Sequence, residues 1–482
     1  MAISTPTHRR RLTLTLLTGA ISETVNKIAP LLVLYLGQAT LPVTSFGSVQ
    51  FAVSYIDIFL PFIAFGYGAY ASIAIANPAG SALSPGRIMS TVTLLKLLHA
   101  VVIVAIALAV MMLPRYDAYR GLILSLGYLF VSSIIETDYV HSGTQSLAIR
   151  NIFSVISKLL CLGGVLILVR GPADYMYYGI LSMLPNLLVA LLSLRFSIKK
   201  IGWERPRTAD LKPVFLGALP FGITNMLAFT LERFDVFFVE AFGGSAAVGL
   251  YVGPLRIVQS IATITAMVTS IFFSELVRID DERRFSKHIE FSALLSMILL
   301  MPIAVGAFFV GGDLLATLFA ATFANHSVMP GYVMALLSIG ILATVGINTF
   351  GMQVLWLRNA MTRMNKIYAI GLISGCLLAT WLGGLWGSIG VAAALAASKL
   401  TVATGCYLAA RPFIPSFSWG FLARIALAAG AMAAVLFILG PDHLVWTKIM
   451  IGAVTYVCMA VLLFWRVIRD LLINGAPTKI AD

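Results

Sequence analysis

Apolar residues run through this chain in blocks of about 20 or more, separated by short breaks of glycine, proline and charge, from Leu12 to Leu472. A helix rises about 1.5 Å per residue, so each block matches the roughly 30 Å of hydrocarbon in a bilayer. The pattern predicts membrane-spanning helices. The breaks place fourteen spans at 12–36, 46–76, 88–113, 119–142, 146–169, 174–195, 212–242, 246–277, 286–310, 329–357, 361–383, 387–410, 418–439 and 445–470. The expected fold is an all-α polytopic membrane protein, with two six-helix bundles around a central cleft and two C-terminal helices added.

The longest hydrophilic stretch, RFSIKKIGWERPRTADLK (Arg195 to Lys212), reads as a hinge between the bundles. Domains are therefore expected at 1–195 (first bundle), 196–212 (basic linker), 213–411 (second bundle) and 412–482 (two further helices and a cytoplasmic tail). VTSFGSVQFAVSYIDIF (Val43 to Phe59) and AAVGLYVGPLRIVQSIATI (Ala246 to Ile264) each open the second span of a half, a weak echo of the parallel repeats common in transporters.

Composition agrees: 60% of the 482 residues are hydrophobic, only 11% are charged, and mean hydropathy is +0.95. No stretch is left over for a soluble catalytic domain. The apolar run after His8–Arg11 continues through Glu23 and Lys27 to Leu36 without a cleavage site, so it reads as the first span and not as a signal peptide. The net charge of +13 matters less than its distribution. Inner loops hold Arg87, then Lys199, Lys200, Arg205, Arg207 and Lys212, then Arg278, Arg283, Arg284 and Lys287, then Arg358 and Arg411, and the tail Arg466, Arg469 and Lys479. Outer loops hold only Arg115, Arg120, Arg170 and Lys448, which sets both termini in the cytoplasm and points to lipid rather than nucleic acid. Cys161, Cys376, Cys406 and Cys458 stand apart in apolar segments, with neither disulfide nor metal spacing.

The exceptions to the apolar pattern lie inside the spans. TLERFDVFFVEAF (Thr230 to Phe242) carries Glu232, Arg233 and Asp235, three charges in four residues. Counted from the outer helix ends, Lys27 lies about 15 Å deep, Glu23 about 21 Å, Asp57 about 17 Å, Arg256 about 15 Å, and Glu232 and Asp235 about 10 to 15 Å; Lys158 reaches a comparable level. An ionisable group at that depth costs at least ~3 kcal/mol, so it faces protein or water and has a partner. A single such pair commonly braces two helices. Glu23 and Lys27, four apart with the acid first, suit one helix face. The collection, drawn from both halves at one depth, fits a hydrated cavity for a charged substrate.

Lys27, Lys158, Arg256 and Arg233 suit an anionic head group, because guanidinium grips phosphate bidentately and ammonium acts as a point charge. Lys96, His99 and Arg150 extend a basic path inward, although Arg150 also suits simple snorkelling to the interface. Glu23, Asp57, Glu232 and Asp235 then read as counter-ions that take up H+ or Na+. Glu136, Asp138 and His141 read as interfacial, and Tyr55, Phe65, Tyr67 and Tyr70 as rings able to stack on sugars if they line the cleft.

Three segments carry a resemblance. RNIFSVISKLLCLGGVLILVRGPADYMYYGIL (Arg150 to Leu181) resembles the fifth-to-sixth-span region of bacterial O-antigen and polysaccharide flippases. LPFGITNMLAFTLERFDVFFVEAFGGSAAVGLYVGPLRIVQSI (Leu219 to Ile261) is similar to their seventh and eighth spans, and YLGQATLPVTSFGSVQFAVSYIDIFLPFIAFG (Tyr35 to Gly66) to their opening turn. The resemblance covers roughly residues 15 to 410 and implies the multidrug/oligosaccharidyl-lipid/polysaccharide exporter superfamily. It implies a substrate too: an undecaprenyl-diphosphate-linked oligosaccharide carried from the cytoplasmic to the periplasmic leaflet by alternating access. Expected partners are that lipid-linked substrate, the inner membrane, a coupling ion (H+ or Na+) and other polysaccharide-assembly membrane proteins, with no nucleic acid and no cofactor. The two extra C-terminal spans depart from the twelve of many O-antigen flippases and leave O antigen, capsule and exopolysaccharide open.

Two rivals remain. A multidrug or cation exporter of the same superfamily wants an acidic or apolar cavity, against which Lys27, Lys158 and Arg256 argue. A membrane polymerase or ligase wants a large outer loop with catalytic groups, whereas GGDLLATLFAATFANHSV (Gly311 to Val328) offers one Asp, one His and no Arg. No nucleophile–base pair or phosphate-binding glycine loop stands out, so a transporter and not an enzyme is expected.

Overall fold

The computed structural model describes residues 24–78, 81–276, 279, 281–319, 328–358, 360–414, 419–440 and 443–474. Among them there are helices and turns and no strand, as the apolar pattern requires. Among the described residues eleven helices are long and apolar enough to cross a membrane, or twelve if the pair Pro114–Ser125 and Tyr128–Gly143, bent by 51°, forms one span. The difference from fourteen lies in two places. The helical stretch Thr208–Ser270 has 63 residues, about 95 Å of helix, and contains both the seventh and the eighth expected spans, with non-helical backbone at Gly244 (φ 63°, ψ −167°). Of the first expected span only the part from residue 24 lies among the described residues, in helix α1, described over residues 24–40.

The described residues fall into two compact units: one extends to Glu240 and includes Gly244–Gly249, the other comprises Ala241–Gly243 and the chain from Leu250. In the N-terminal unit, α1 is followed by α2 (Val43–Asp57), α3 (Leu60–Ala64), α4 (Tyr67–Ala76), α5 (Pro85–Met111), α6 (Arg120–Ser125), α7 (Tyr128–Ile135), α8 (Asp138–Gly143), α9 (Leu147–Leu168), α10 (Tyr175–Ile201) and α11 (Thr208–Leu231). Helix α12 (Phe234–Leu276) begins in this unit and ends in the other. The second expected span is thus three pieces and the fourth also three. Their breaks hold Phe59, Gly66, Gly127 and Thr137, and Pro61 is the second residue of α3. Phe65 between α3 and α4 has φ 46°, a conformation costly for a bulky residue.

Around these breaks sits a core of Phe65, Tyr67, Ala71, Ile88, Met89, Val92, Tyr139, Val140, Val214 and Ala218. On α5 the opposite face, with Leu97, Leu98, Val101, Val102 and Ile106, is exposed, as suits a helix side turned to lipid. Ser84 caps α5 by accepting from Arg87 N (3.4 Å), and its hydroxyl donates to Glu204 Oε1 (2.5 Å). Glu204 also pairs with Arg87 at 3.5 Å, so the middle of the linker is tied to this helix end; only residues 202–207 of the linker are non-helical.

The C-terminal unit continues with α13 (Glu282–Leu318), α14 (Val328–Gly346), a π-helical segment (Ile347–Leu355), α15 (Met361–Trp386), α16 (Ser388–Ala410), α17 (Trp419–Leu439) and α18 (Val445–Asn474). The two added spans, α17 and α18, pack on α13 through Val310, Met432, Leu436 and Tyr456. Lys448 Nζ donates to Asp313 Oδ2 (2.7 Å), and Tyr456 OH to the Ile298 carbonyl (3.0 Å). Pro302, four residues beyond Ile298, has no N–H to give that carbonyl. In the π segment, the side-chain amides of Asn348 and Gln353 reach Thr265 Oγ1 (2.7 Å) and the Thr269 carbonyl (3.0 Å).

Small residues let backbones approach where lipid gives no hydrophobic drive to association. A Cβ on Gly47 would run into the Ser245 carbonyl, whereas Gly68 faces nothing within 4 Å. Gly47→Val is expected to cost about 3 kcal/mol or more and to collapse the yield of monodisperse protein in fluorescence-detected size exclusion, with Gly68→Ala at wild-type yield. Equal yields would contradict this packing.

Candidate functional site

Asp57 ends α2. Four residues later stands Pro61, which cannot donate to the Asp57 carbonyl, and the helix loosens through Ile58 and Phe59 before α3 begins. Helix α11 likewise stops at Leu231 and α12 starts at Phe234, leaving Glu232 and Arg233 as the break. The two breaks are bridged: Arg233 Nη1 lies 3.4 Å from Asp57 Oδ2, with side chains 19% and 20% exposed. Asp235, fully buried in the first turn of α12, sits where the helix dipole favours a carboxylate, and Glu232 is half-buried. The three charges in TLERFDVFFVEAF therefore accompany an interruption of the span. Interrupted helices whose ends face charge are how polar groups are accommodated at membrane depth.

The break between α3 and α4 is held from two sides. Asn225 Nδ2 of α11 donates to the Phe65 carbonyl (3.0 Å), and the Phe65 ring stacks on Phe215 at 5.5 Å. His99 Nδ1 donates to the Phe62 carbonyl (3.2 Å), which makes Nε2 the acceptor for the Tyr67 hydroxyl (3.4 Å). Lys96, 2% exposed, donates to the Glu136 carbonyl (3.0 Å) at the break between α7 and α8 and lies 3.6 Å from the Glu136 carboxylate. Arg150 pairs with Asp138 at 2.6 Å. Lys158 donates to Asn26 Oδ1 (3.0 Å) and to the Asn26 carbonyl (3.2 Å), and Ser154 to the same Oδ1 (2.7 Å). Lys27, next to Asn26, is half-buried. Arg256, half-buried, belongs to the C-terminal unit, and Glu23 lies outside the described residues.

Some expectations change. Tyr55 and Tyr67 are fully buried, so neither presents a face to a sugar in this structure; Tyr55 donates to the Ala107 carbonyl (2.6 Å) and packs against Tyr116 and Phe237. His141 is also fully buried and stacks on Phe196 at 4.9 Å. Sequence reasoning passed over Asn26 and Asn225 because neutral amides carry no charge signal. It also passed over Glu240, 9% exposed, which accepts from Arg115 (2.6 Å) and Tyr119 (3.3 Å), and over Glu290 and Lys399, 7% and 8% exposed in the C-terminal unit. The depth count that found Glu232 would have found Lys399, in the middle of α16, as well.

These features define a class: an all-α, multi-pass membrane protein with charged residues at the breaks of its spans. The family model described as "Polysaccharide biosynthesis protein" matches residues 16–277, more than half of the chain, and the chain belongs to that family. It is 22% identical over 396 residues to the Escherichia coli (strain K12) protein named "Putative O-antigen transporter", covering 80% of this chain and 92% of that one. In fold it is similar to the lipid II flippase MurJ in an inward closed conformation, with a TM-score of 0.75 at 15% identity over 95% of this chain and 100% of that one. It is also similar to an inward-facing multidrug resistance MATE family transporter, with a TM-score of 0.56 at 14% identity over 83% and 98%.

If Arg233 and Asp57 act as a pair across the two breaks, Asp57→Asn and Arg233→Gln are expected to be non-additive by about 1–2 kcal/mol in a double-mutant cycle of thermal unfolding in nanodiscs. Additive losses would remove the bridge.

Proposed function

We propose that this protein is a flippase that moves undecaprenyl-diphosphate-linked oligosaccharide repeat units, of O antigen, capsule or exopolysaccharide, from the cytoplasmic to the periplasmic leaflet of the inner membrane. Family membership and the name of the E. coli relative support the cargo class. The observation that carries the reading is the pairing of Arg233 with Asp57 at two facing span breaks, a cation held at membrane depth beside an exchangeable carboxylate. A diphosphate and sugar chain cannot enter hydrocarbon unaided, since their polar groups would lose water without replacement, while the polyprenyl tail can stay in lipid. In this reading Lys27 and Arg233 of the N-terminal unit meet the diphosphate and Arg256 serves in the same capacity in the C-terminal unit. Lys96, Arg150 and Lys158 steady the helices that carry them. Asp57, Glu232 and Asp235, with Glu23, are the counter-ions that release the head group on taking up H+ or Na+ during alternating access. Both termini face the cytoplasm.

Deletion of the gene is expected to leave complete lipid-linked repeat units facing the cytoplasm, measured by periplasmic accessibility of the labelled glycan. Units that reach the periplasm but stay unpolymerised would support the polymerase or ligase reading instead. Normal glycan with lost drug resistance would support the exporter. Reversing charge at Arg256 or Lys27, with membrane insertion intact, is expected to cut complementation at least about tenfold. Full complementation by both variants would remove the site assignment.

A further inference from the structure

Asn26 and Pro30 stand four apart in α1. In an α-helix the N–H of residue 30 would donate to the carbonyl of residue 26, and proline has none to give. Asn26 is half-buried within the expected first span, where an unpaired backbone group facing hydrocarbon is costly. The Lys158 ammonium of α9 lies 3.2 Å from it, and a second N–H meets Asn26 Oδ1 at 3.0 Å. Ser154, one turn earlier on α9, donates to the same amide oxygen at 2.7 Å. Three hydrogen bonds from one face of α9 thus converge on the single residue whose carbonyl the proline leaves open. The same solution recurs in the C-terminal unit, where Tyr456 donates to the Ile298 carbonyl, four residues before Pro302.

We infer that Lys158 is a positioning residue: it supplies the hydrogen bond that Pro30 withholds from Asn26, and so fixes the backbone of span one at Asn26 and the direction of the adjacent Lys27. The positioning of Lys27 rests on the head-group reading above; the backbone clasp does not. What the position requires is a donor, and its charge is secondary. That sets it apart from a residue that grips phosphate, for which charge is the requirement.

Lys158→Met keeps the stem and removes the donor, Lys158→Gln keeps a donor without charge, and Pro30→Ala restores the missing N–H. In nanodiscs, Lys158→Met is expected to lower the apparent Tm by about 4 °C with Pro30 present and by less than about 1 °C in the Pro30→Ala background. In complementation, with expression equalised, Lys158→Gln is expected to stay within about threefold of wild type and Lys158→Met to fall at least about tenfold. Equal Tm losses for Lys158→Met in both backgrounds would overturn the clasp. Loss of complementation by Lys158→Gln to the level of Lys158→Met would overturn it in favour of a charge contact. Wild-type complementation by Lys158→Met would overturn the positioning role. None of these outcomes touches the flippase reading, which stands or falls on the glycan found in the deletion strain.

Discussion

A backbone carbonyl in hydrocarbon has to be satisfied by protein, because no water is at hand. An unbroken helix meets that condition by itself; a span that must bend or hold a charge at depth does not. Most of what is unusual in this chain follows from that conflict. The N-terminal unit interrupts spans two, four and seven and places prolines at 30 and 61, and at the first, second and fourth spans a side chain from a neighbouring helix reaches a freed carbonyl: Lys158 to Asn26, Asn225 to Phe65, His99 to Phe62 and Lys96 to Glu136. The C-terminal unit does the same with Tyr456 and Ile298.

This constraint sorts the intramembrane charges. Read as a list, Lys27, Lys96, Arg150, Lys158, Arg233 and Arg256 look like one basic lining. In the structure Lys96 is closed in against Glu136 and Tyr139, and Arg150 is paired with Asp138 next to the same break. Arg233 differs in joining two breaks: it lies between α11 and α12 and its partner Asp57 ends α2, whereas Arg150 and Asp138 meet at one break. Under the proposed function such a pair exchanges for a phosphate and a proton, a role not given to Lys96, which is closed in at its break.

The spans were legible in the sequence because burial in lipid demands long apolar runs. Depth counting brought out Glu232, Arg233 and Asp235. It could not show that Asp57 would be the partner of Arg233, since pairing across 176 positions of chain depends on how helices pack. Nor could hydropathy show that span two is three pieces: Pro61 and Gly66 are small perturbations of an apolar average, yet Pro61 has no N–H for the Asp57 carbonyl and Gly66 lets the backbone of α11 come close. Asn26 and Asn225 were invisible for the same reason. Hydropathy averages over about twenty residues, whereas a freed carbonyl is a single atom that only a neighbouring helix can answer.

The most direct test of this account is backbone hydrogen exchange in nanodiscs, followed by mass spectrometry, comparing wild type with Lys96→Met. If Lys96 closes the gap between α7 and α8, protection is expected to fall across residues 128–143 while the rest of α5, which carries Lys96, is unchanged. Unaltered protection at that break would mean that the carbonyls of broken spans do not depend on side chains from their neighbours, and the account would fail.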